Sequence, residues 1–301
     1  MNLGLCMVVR DEEHNLPACL DPIVDLFTEV VVVDTGSRDS TRALLRQRYG
    51  IVPAEYPLCP TRCGGIIDAR NAGLASMSAP WIMSLDADER ISRSALQDFT
   101  RLSDDPEVSG YFFRWMNRIP GDVEFEDYKL FVFRNGLRMR GLVHENVSID
   151  LRDRRLAARW HDGIDVHHLP RWVPAERRAL RMNRLRCALE QEPRWYRYHW
   201  FLGYTMSLTG RMDEAIHHLQ VASSSLSLRF PVEVLNSSIL LADIAARAGD
   251  GPQTIAILER ALDFHRQVAT DFEVQINFRL RPWLEEAWRR ARRGQLQSIQ
   301  A

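Results

Sequence analysis

Four short, largely apolar runs alternate with helix-forming segments over the first 85 residues of the chain. They cover residues 3–9, 30–33, 51–56 and 81–85. Apolar runs without polar alternation are typical of strands covered on both faces, and a repeated strand, turn and helix favours a parallel sheet. The chain is therefore predicted to begin with a doubly wound, mostly parallel α/β sheet, whose ligands bind beyond the carboxyl ends of the strands.

Acidic side chains follow three of these runs. Glu12 comes after the first run, Asp34 after the second, and Asp86 and Asp88 after the fourth. Carboxylates repel phosphate unless a cation intervenes, and both common glycine-rich phosphate loops are absent from the sequence. In an extended Asp86-Ala87-Asp88 segment the two carboxylates project to one side, so one can hold Mg²⁺ or Mn²⁺ and the other a sugar hydroxyl. A solvated turn is the alternative for such a tripeptide taken alone.

Four segments together carry a family resemblance, and their order and spacing agree from residue 8 to residue 89. They are residues 8–16, 31–41, 68–73 and 81–89. In them the chain resembles the inverting, family-two nucleotide-sugar glycosyltransferases, which have the GT-A fold. Residues 127–145 also resemble the branch that includes lipopolysaccharide-core glucosyltransferases and peptide S-glycosyltransferases. The resemblance implies a UDP-sugar donor, Mg²⁺ or Mn²⁺ as cofactor, and transfer of a sugar with inversion.

The same resemblance implies which residues bind the donor. These are Val9, Glu12, Asp34, Arg70, Asp86 and Ala87. Glu12 and Asp34 would contact the uridine, and Arg70 would contact the diphosphate. Each of the three has a local alternative: Glu12 could favour the first turn of a helix through the helix dipole, and Asp34 could cap a turn. Arg70 could form a surface ion pair with Asp68.

Metal binding is expected at Asp88, His144 and His168. By resemblance, Asp86 and Asp88 serve the ribose and the metal, and an imidazole could complete the metal shell or bind the leaving diphosphate. His144 lies in a Gly-Leu-Val-His-Glu segment. Spacing does not choose between His168 and its neighbour His167, and a hydrogen-bonded structural histidine is the alternative at each position.

Inverting transfer needs a base on the acceptor side, because the nucleophile attacks in line with the departing nucleoside diphosphate. The family usually keeps this acid where the chain has Glu126-Asp127, and Asp127 is the first candidate. Glu145 is the second candidate and Glu126 the third, while a thiol acceptor that ionises easily would need no protein base. A solvated loop carboxylate beside Lys129 is the other interpretation of Asp127.

Helical periodicity replaces the strand pattern from residue 174 onward. Ala188 and Ala222 are 34 residues apart, and Ala261 follows after 39 more, which implies a five-residue insertion between residues 223 and 231. A period of about 34 residues with small side chains at helix contacts resembles tetratricopeptide repeats. The predicted domains are a GT-A domain at residues 1–170 and an all-α, tetratricopeptide-like domain at residues 171–301.

The segment from Arg194 to Phe201 holds more aromatic rings than one helix face can bury. We expect rings such as Trp195, Tyr198 and Trp200 to line a groove or an interface. The repeats would then hold the acceptor or, in a homodimer, a second copy of the chain. Core packing at the domain junction is the alternative.

Charge divides the chain in a similar way. Residues 1–165 hold 20 basic and 26 acidic side chains, and residues 166–301 hold 19 and 14. The basic half is too sparse for a nucleic-acid surface, and its arginines lie at helical spacing. No apolar run reaches the about 20 residues of a membrane span, which together with five scattered cysteines predicts a cytoplasmic protein.

The leading hypothesis is a metal-dependent enzyme that moves a hexose from a UDP-sugar to a cysteine, serine or threonine of a peptide or protein. A glycan or a lipid-linked core sugar is the alternative acceptor. A hypothesis of another class is a scaffold that binds partners through its repeats and carries a degenerate transferase domain.

Overall fold

The computed structural model describes residues 1–58, 65–102, 104–118, 125–169, 175–271 and 280–296. The chain divides into two compact units, Met1–Pro174 and Ala175–Ala301. The predicted domain boundary after residue 170 lies outside the described residues. No helix within the described ranges combines the length and the apolar character that a membrane crossing requires.

The described part of the first unit contains one sheet of eight strands. The strands are β1 (Leu3–Val9), β2 (Glu29–Asp34), β3 (Ala54–Glu55), β4 (Trp81–Ser84), β5 (Glu89–Ile91), β6 (Gly110–Asn117), β7 (Phe125–Arg134) and β8 (Ala158–His168). Their order across the sheet is β3-β2-β1-β4-β7-β6-β8-β5. The first four are parallel, β7 is antiparallel to β4 and β6, β8 is parallel to β6, and β5 is antiparallel to β8. The predicted α/β class is confirmed, as a mixed sheet.

Helices connect these strands. Up to β4, strands and helices alternate along the chain as the sequence predicts. The helices are α1 (Leu16–Leu20), α2 (Thr41–Tyr49), α3 (Gly65–Ala75), α4 (Arg93–Thr100) and α5 (Val147–Asp153), with a short 3₁₀ helix at Val24–Leu26. The third predicted strand, residues 51–56, is reduced to Ala54–Glu55. Its first residue, Ile51, instead donates its N–H to the carbonyl of Leu45 in the middle of α2.

The core of this unit lies on both faces of the sheet. Leu5 and Met7 of β1 are fully buried in one cluster, and Cys6, which points to the other face, packs in a second cluster with Leu74 of α3. A Cβ atom on Gly73 would lie 2.9 Å from the Cys6 sulfur, so only glycine allows α3 to approach β1 this closely. This contact places the first turns of α3 beside the carboxyl end of the sheet.

The described residues of the second unit form helices joined by short connections and contain no strand. Its helices are α6 (Ala175–Gln191), α7 (Tyr196–Ser207), α8 (Met212–Ser224), α9 (Pro231–Arg247), α10 (Gly251–Asp271) and α11 (Leu280–Arg292). The three repeat alanines Ala188, Ala222 and Ala261 are all buried. A Cβ atom on Gly203 of α7 would lie 2.9 Å from Leu219 of α8, so glycine permits the close helix pairing. The predicted insertion falls between α8 and α9.

The aromatic segment of α7 is largely core, which corrects the expectation that Tyr198 lines a groove. Tyr198 is fully buried, and its hydroxyl donates to a Glu192 carboxylate oxygen at 2.7 Å. The Tyr196 hydroxyl accepts from the Phe230 N–H at 2.9 Å. Trp200 is half-buried and stacks on Tyr204, which is 42% exposed. Exposed aromatic surface on α7 is therefore found at Trp200 and Tyr204.

Replacement of Tyr198 by Ala is expected to destabilise the second unit by about 3–5 kcal/mol, because it removes a buried ring and leaves a cavity. Replacement of the half-buried Trp200 by Ala is expected to cost clearly less. Chemical denaturation of both variants and the wild type measures the two free energies of unfolding. Equal losses in the two variants would contradict the assignment of Tyr198 to the core.

Candidate active site

The loops that follow β1 and β2 are joined by hydrogen bonds. The Asp11 N–H donates to the Ser37 hydroxyl at 2.9 Å, and the Glu12 N–H donates to the Thr41 hydroxyl at 2.7 Å. Asp11 has a positive φ of 56°, which turns the chain toward the second loop. The Glu12 carboxylate accepts from the Asn15 amide at 2.7 Å. Glu12 is thereby held at the carboxyl end of β1.

Asp34 is buried at the end of β2, with its two carboxylate oxygens in different situations. Its Oδ1 accepts from the N–H groups of Gly36 and Ser37, both at 3.0 Å, as the turn-capping alternative predicts. Its Oδ2 is also buried but has no hydrogen-bond partner within the described structure. A buried, unpaired carboxylate oxygen is costly, so it is a natural acceptor for a ligand N–H.

Val9 and Ala87, both predicted to bind the donor, have side chains buried within the fold. Val9 is 2% exposed, and its carbonyl already accepts from both the N–H and the hydroxyl of Thr35. Ala87 is 3% exposed, and its carbonyl accepts from Arg90 at 2.7 Å. Both side chains therefore pack in the core next to the strand ends.

Asp86 is the centre of a network of charged side chains. Its Oδ1 accepts from Arg70 at 2.9 Å, and its Oδ2 accepts from the Lys129 ammonium at 3.3 Å. Arg70 also donates to Glu145 at 2.7 Å. Burial by itself would raise the pKa of Asp86, but the charges of Arg70 and Lys129 outweigh it and hold that pKa well below its usual range. Asp86 is therefore ionised and fixed in place.

Glu89 also belongs to this network, and the sequence analysis did not identify it as a site residue. Glu89 is fully buried, and its Oε1 accepts from Lys129 at 2.7 Å and from the Trp115 indole at 3.0 Å. Its Oε2 accepts from the backbone N–H of Asp86 at 2.8 Å. Burial alone would lower the pKa of Lys129, but Glu89 and Asp86 raise it, so the ammonium stays charged. Two features of the sequence could have indicated this pair: Glu89 directly follows Asp88, and Lys129 is the single lysine of the chain.

Asp88 and His168 are brought together, whereas His167 lies on the opposite face. The His168 Nε2 is 3.3 Å from an Asp88 carboxylate oxygen, and its Nδ1 is 2.6 Å from the Asn117 side-chain oxygen. In the β5–β8 register His168 is paired with Glu89 and His167 with Arg90. Successive residues of a strand point to opposite faces, so the register selects His168 for the site.

The three predicted metal ligands are not all assembled. Across the described ranges no three histidine, cysteine, aspartate or glutamate side chains converge as a metal site. His144 lies in the loop before α5, at a positive φ of 56°, and does not join Asp88 and His168. One carboxylate and one imidazole still suit a Mg²⁺ or Mn²⁺ ion that takes its other ligands from water and substrate phosphate.

Asp127 and Glu126 occupy opposite faces of β7. In the β6–β7 register Asp127 is paired with Trp115 and Glu126 with Met116. Asp127 therefore shares a face with Trp115 and Lys129, while Glu126 lies on the other face. Both carboxylates are exposed. Asp127 belongs to a strand and not to a loop, and its exposure agrees with the solvated carboxylate of the alternative interpretation.

Comparison with known proteins gives three informative relatives. A tetratricopeptide repeat-containing protein of Synechococcus elongatus is 33% identical over 151 residues, which cover 50% of this chain and 36% of the relative. The prophage-derived glycosyltransferase SunS of Bacillus subtilis is 23% identical over 71% of this chain and 51% of its own. The lipopolysaccharide core biosynthesis glycosyltransferase LpsC of Rhizobium meliloti is 32% identical over 31% of this chain and 33% of its own. The chain thus spans about half or less of the length of these relatives.

The family comparison matches one continuous range within the first unit. The sequence profile of glycosyl transferase family 2 matches residues 5–166, from the second half of β1 to β8. This range includes Asp34, Asp86 and Asp88, which lie at or just after the carboxyl ends of strands. It also includes Lys129, which contacts Asp86. The matched range is more than half of the 301 residues. The protein therefore belongs to glycosyl transferase family 2.

Proposed function

We propose that the protein is a metal-dependent, inverting glycosyltransferase that moves a hexose from a UDP-sugar to a cysteine, serine or threonine side chain of a peptide or protein. The observation that carries the proposal is the convergence of Arg70 and Lys129 on Asp86, two residues before the Asp88–His168 pair. Such an edge combines cations for a diphosphate with ligands for a divalent ion. Family membership supports the same chemistry.

The donor is held, in this proposal, by groups from three strand ends. The unpartnered Oδ2 of Asp34 accepts an N–H of the uracil, and Glu12 lies at the neighbouring strand end. Arg70, one turn into α3, donates to the diphosphate, since both the guanidinium and the start of a helix favour anions. Asp86 accepts from ribose hydroxyls.

A divalent ion fits beside Asp88 and His168, which would hold it through one carboxylate oxygen and one ring nitrogen. When bound, Mg²⁺ or Mn²⁺ neutralises charge that develops on the departing diphosphate. Asn117 accepts a hydrogen bond from the His168 Nδ1, and this contact leaves Nε2 available as the ligand atom.

Asp127 is the proposed general base. Its carboxylate takes the proton from the acceptor hydroxyl or thiol while the acceptor oxygen or sulfur forms a bond to the anomeric carbon. The bond between that carbon and the diphosphate oxygen breaks at the same time, and UDP leaves from the opposite face. Glu145 is less suited to this role, because it is only 13% exposed and is ion-paired with Arg70.

The proposal has two versions, which differ in whether the acceptor is a peptide or a glycan. Repeats in the second unit favour an extended peptide, because stacked helix pairs form elongated binding surfaces. The name of the relative LpsC, a lipopolysaccharide core biosynthesis glycosyltransferase, favours a glycan instead. The sequence contains all four residues to which the resemblance assigns donor or metal contacts, Asp34, Arg70, Asp86 and Asp88, and this opposes a degenerate scaffold.

We expect UDP to be released when the protein is incubated with a UDP-hexose, Mn²⁺ and an acceptor, and the product to be β-linked when the donor is α-linked. A panel of UDP-hexoses is tested against peptides with cysteine or serine and against core oligosaccharides. Mass spectrometry identifies the acceptor, and the NMR coupling constant of the anomeric proton reports the linkage. Absence of both UDP binding and turnover would favour the scaffold hypothesis, and an α-linked product would refute inversion.

A further inference from the structure

Two histidine rings meet between α7 and α8 of the second unit. The Nδ1 atoms of His199 on α7 and His218 on α8 are 2.9 Å apart, and the ring centres are 5.0 Å apart. Both residues are half-buried. At least one of the two Nδ1 atoms carries no proton, because two N–H groups at this distance would repel each other. The pair therefore places an imidazole lone pair between two helices.

The contacts of His199 define which of its nitrogen atoms carries the proton. Its Nε2 lies 3.5 Å from the carbonyl oxygen of Pro193, and a carbonyl only accepts, so Nε2 carries the hydrogen. The Nδ1 of His199 is then unprotonated, and the Nδ1 of His218 donates to it. A ring N–H that faces a backbone carbonyl is typical of metal-bound histidines, because it orients the lone pair of the other nitrogen toward the metal.

The distance between the two Nδ1 atoms suits a particular kind of ion. Metal–imidazole bonds are about 2.0–2.1 Å long, so nitrogen atoms 2.9 Å apart form an angle of about 90° at a shared metal. The tetrahedral geometry of structural zinc sites would separate the two atoms by about 3.3 Å. Right-angle positions are typical of square-planar and tetragonal Cu²⁺ and Ni²⁺, and imidazole is a suitable ligand for both.

The neighbours of the pair favour a nitrogen site over an oxygen site. Glu214, one turn before His218 on α8, is ion-paired with Arg211 at 2.6 Å. The His217 ring meets that of His218 edge-on, with centres 5.3 Å apart. Within the described ranges, no third histidine, cysteine, aspartate or glutamate completes a metal cluster. Water would therefore supply the other ligands, and two imidazoles without a carboxylate do not suit Mg²⁺.

We propose that His199 and His218 form a binding site for Ni²⁺ or Cu²⁺ that links α7 to α8. The ion takes the place of the proton between the two Nδ1 atoms. That proton leaves the Nδ1 of His218 while its Nε2 takes one up, so both rings stay neutral and binding releases no net proton. The ion contacts both helices only when they are paired, so it stabilises the folded second unit. The proposed position for Mg²⁺ or Mn²⁺, at Asp88 and His168, lies in the other unit.

Calorimetry with Ni²⁺ tests this site in the full chain. All titrations contain excess Mg²⁺, which competes at carboxylate sites but not at a pair of imidazoles. The samples are the wild type, His199→Gln, His218→Gln and His217→Gln. We expect each of the first two variants to weaken Ni²⁺ binding by at least about 10-fold, because the second imidazole acts as an intramolecular ligand. His217→Gln is the matched control, an exposed histidine next to His218, and should change the affinity by less than about twofold.

Thermal melting gives a second readout. The melting temperatures of the wild type and of His217→Gln should rise with the Ni²⁺ concentration, whereas those of His199→Gln and His218→Gln should stay constant. Melting without metal shows whether each variant folds, and a folding defect in one ligand variant leaves the other as the test. The proposal is overturned if the wild type binds no Ni²⁺ in excess Mg²⁺, which would show that the two rings form a hydrogen bond only. It is also overturned if all three histidine variants lose the same affinity, or if the wild type binds Zn²⁺ more tightly than Ni²⁺.

Discussion

Asp127→Asn is expected to lower turnover by about two to four orders of magnitude, the range for a lost general base, while the affinity for UDP stays unchanged. The substitution keeps the size of the side chain but removes its ability to accept the acceptor proton. Asp127 is exposed on β7, so the change should not affect folding. Initial rates at saturating donor and acceptor measure the effect.

Glu126→Gln is the matched control for this experiment. Glu126 is the neighbouring residue, is also exposed and is also acidic, but it lies on the opposite face of β7. We expect less than about a threefold change in its turnover. A normal rate in Asp127→Asn would reject Asp127 as the base. A large loss in Glu145→Gln would then assign the role to Glu145, and normal rates in both variants would favour an acceptor that ionises without help.

Removal of the divalent ion is expected to abolish transfer. Three acidic strand ends face the proposed diphosphate, and without a cation their charges oppose donor binding and the departure of UDP. Asp88→Ala should therefore lose at least about 100-fold in activity, as should the wild type in excess chelator. Mn²⁺ binding in the presence of UDP, measured by electron paramagnetic resonance, gives a readout that does not depend on turnover.

Asp98→Ala is the control for Asp88→Ala. Asp98 is an exposed aspartate of α4 that pairs with Arg101 on the surface, so its loss should leave Mn²⁺ binding and activity unchanged. Equal melting temperatures of the two variants establish that any difference is local. Full turnover of the wild type in excess chelator would rule out a metal-dependent reaction.

Short-range patterns in the sequence determined the class of the fold and the edge of the sheet on which the candidate site lies. The apolar runs that became β1, β2 and β4 end just before or at Glu12, Asp34 and Asp86, and parallel strands bring their carboxyl ends to one edge. The spacing of Ala188, Ala222 and Ala261 likewise predicted helix contacts, because small residues recur where helices pack closely.

Pairing between distant segments was beyond the reach of these patterns. Strand β5 has three residues, and β7 and β8 are rich in polar side chains; β7 contains Glu126, Asp127 and Lys129. Such segments become strands through their neighbours, since β-propensity depends on what the strand packs against. The half of the sheet that β5 to β8 form was therefore not predicted, and neither was the contact of Lys129 with residues 40 and 43 positions away.

Tertiary structure also decided between adjacent candidates. His167 and His168 are neighbours on opposite faces of β8, and Glu126 and Asp127 are neighbours on opposite faces of β7. A shift of one residue in the register of either strand would exchange the faces of the two neighbours. Tyr198 became core because α7 packs against α6, α8 and α9, which the pattern of one helix does not reveal. The sequence determined which residue types are available at the edge of the sheet. The register of β5 to β8 decided which of them meet, because alternation assigns faces only once the strands are paired.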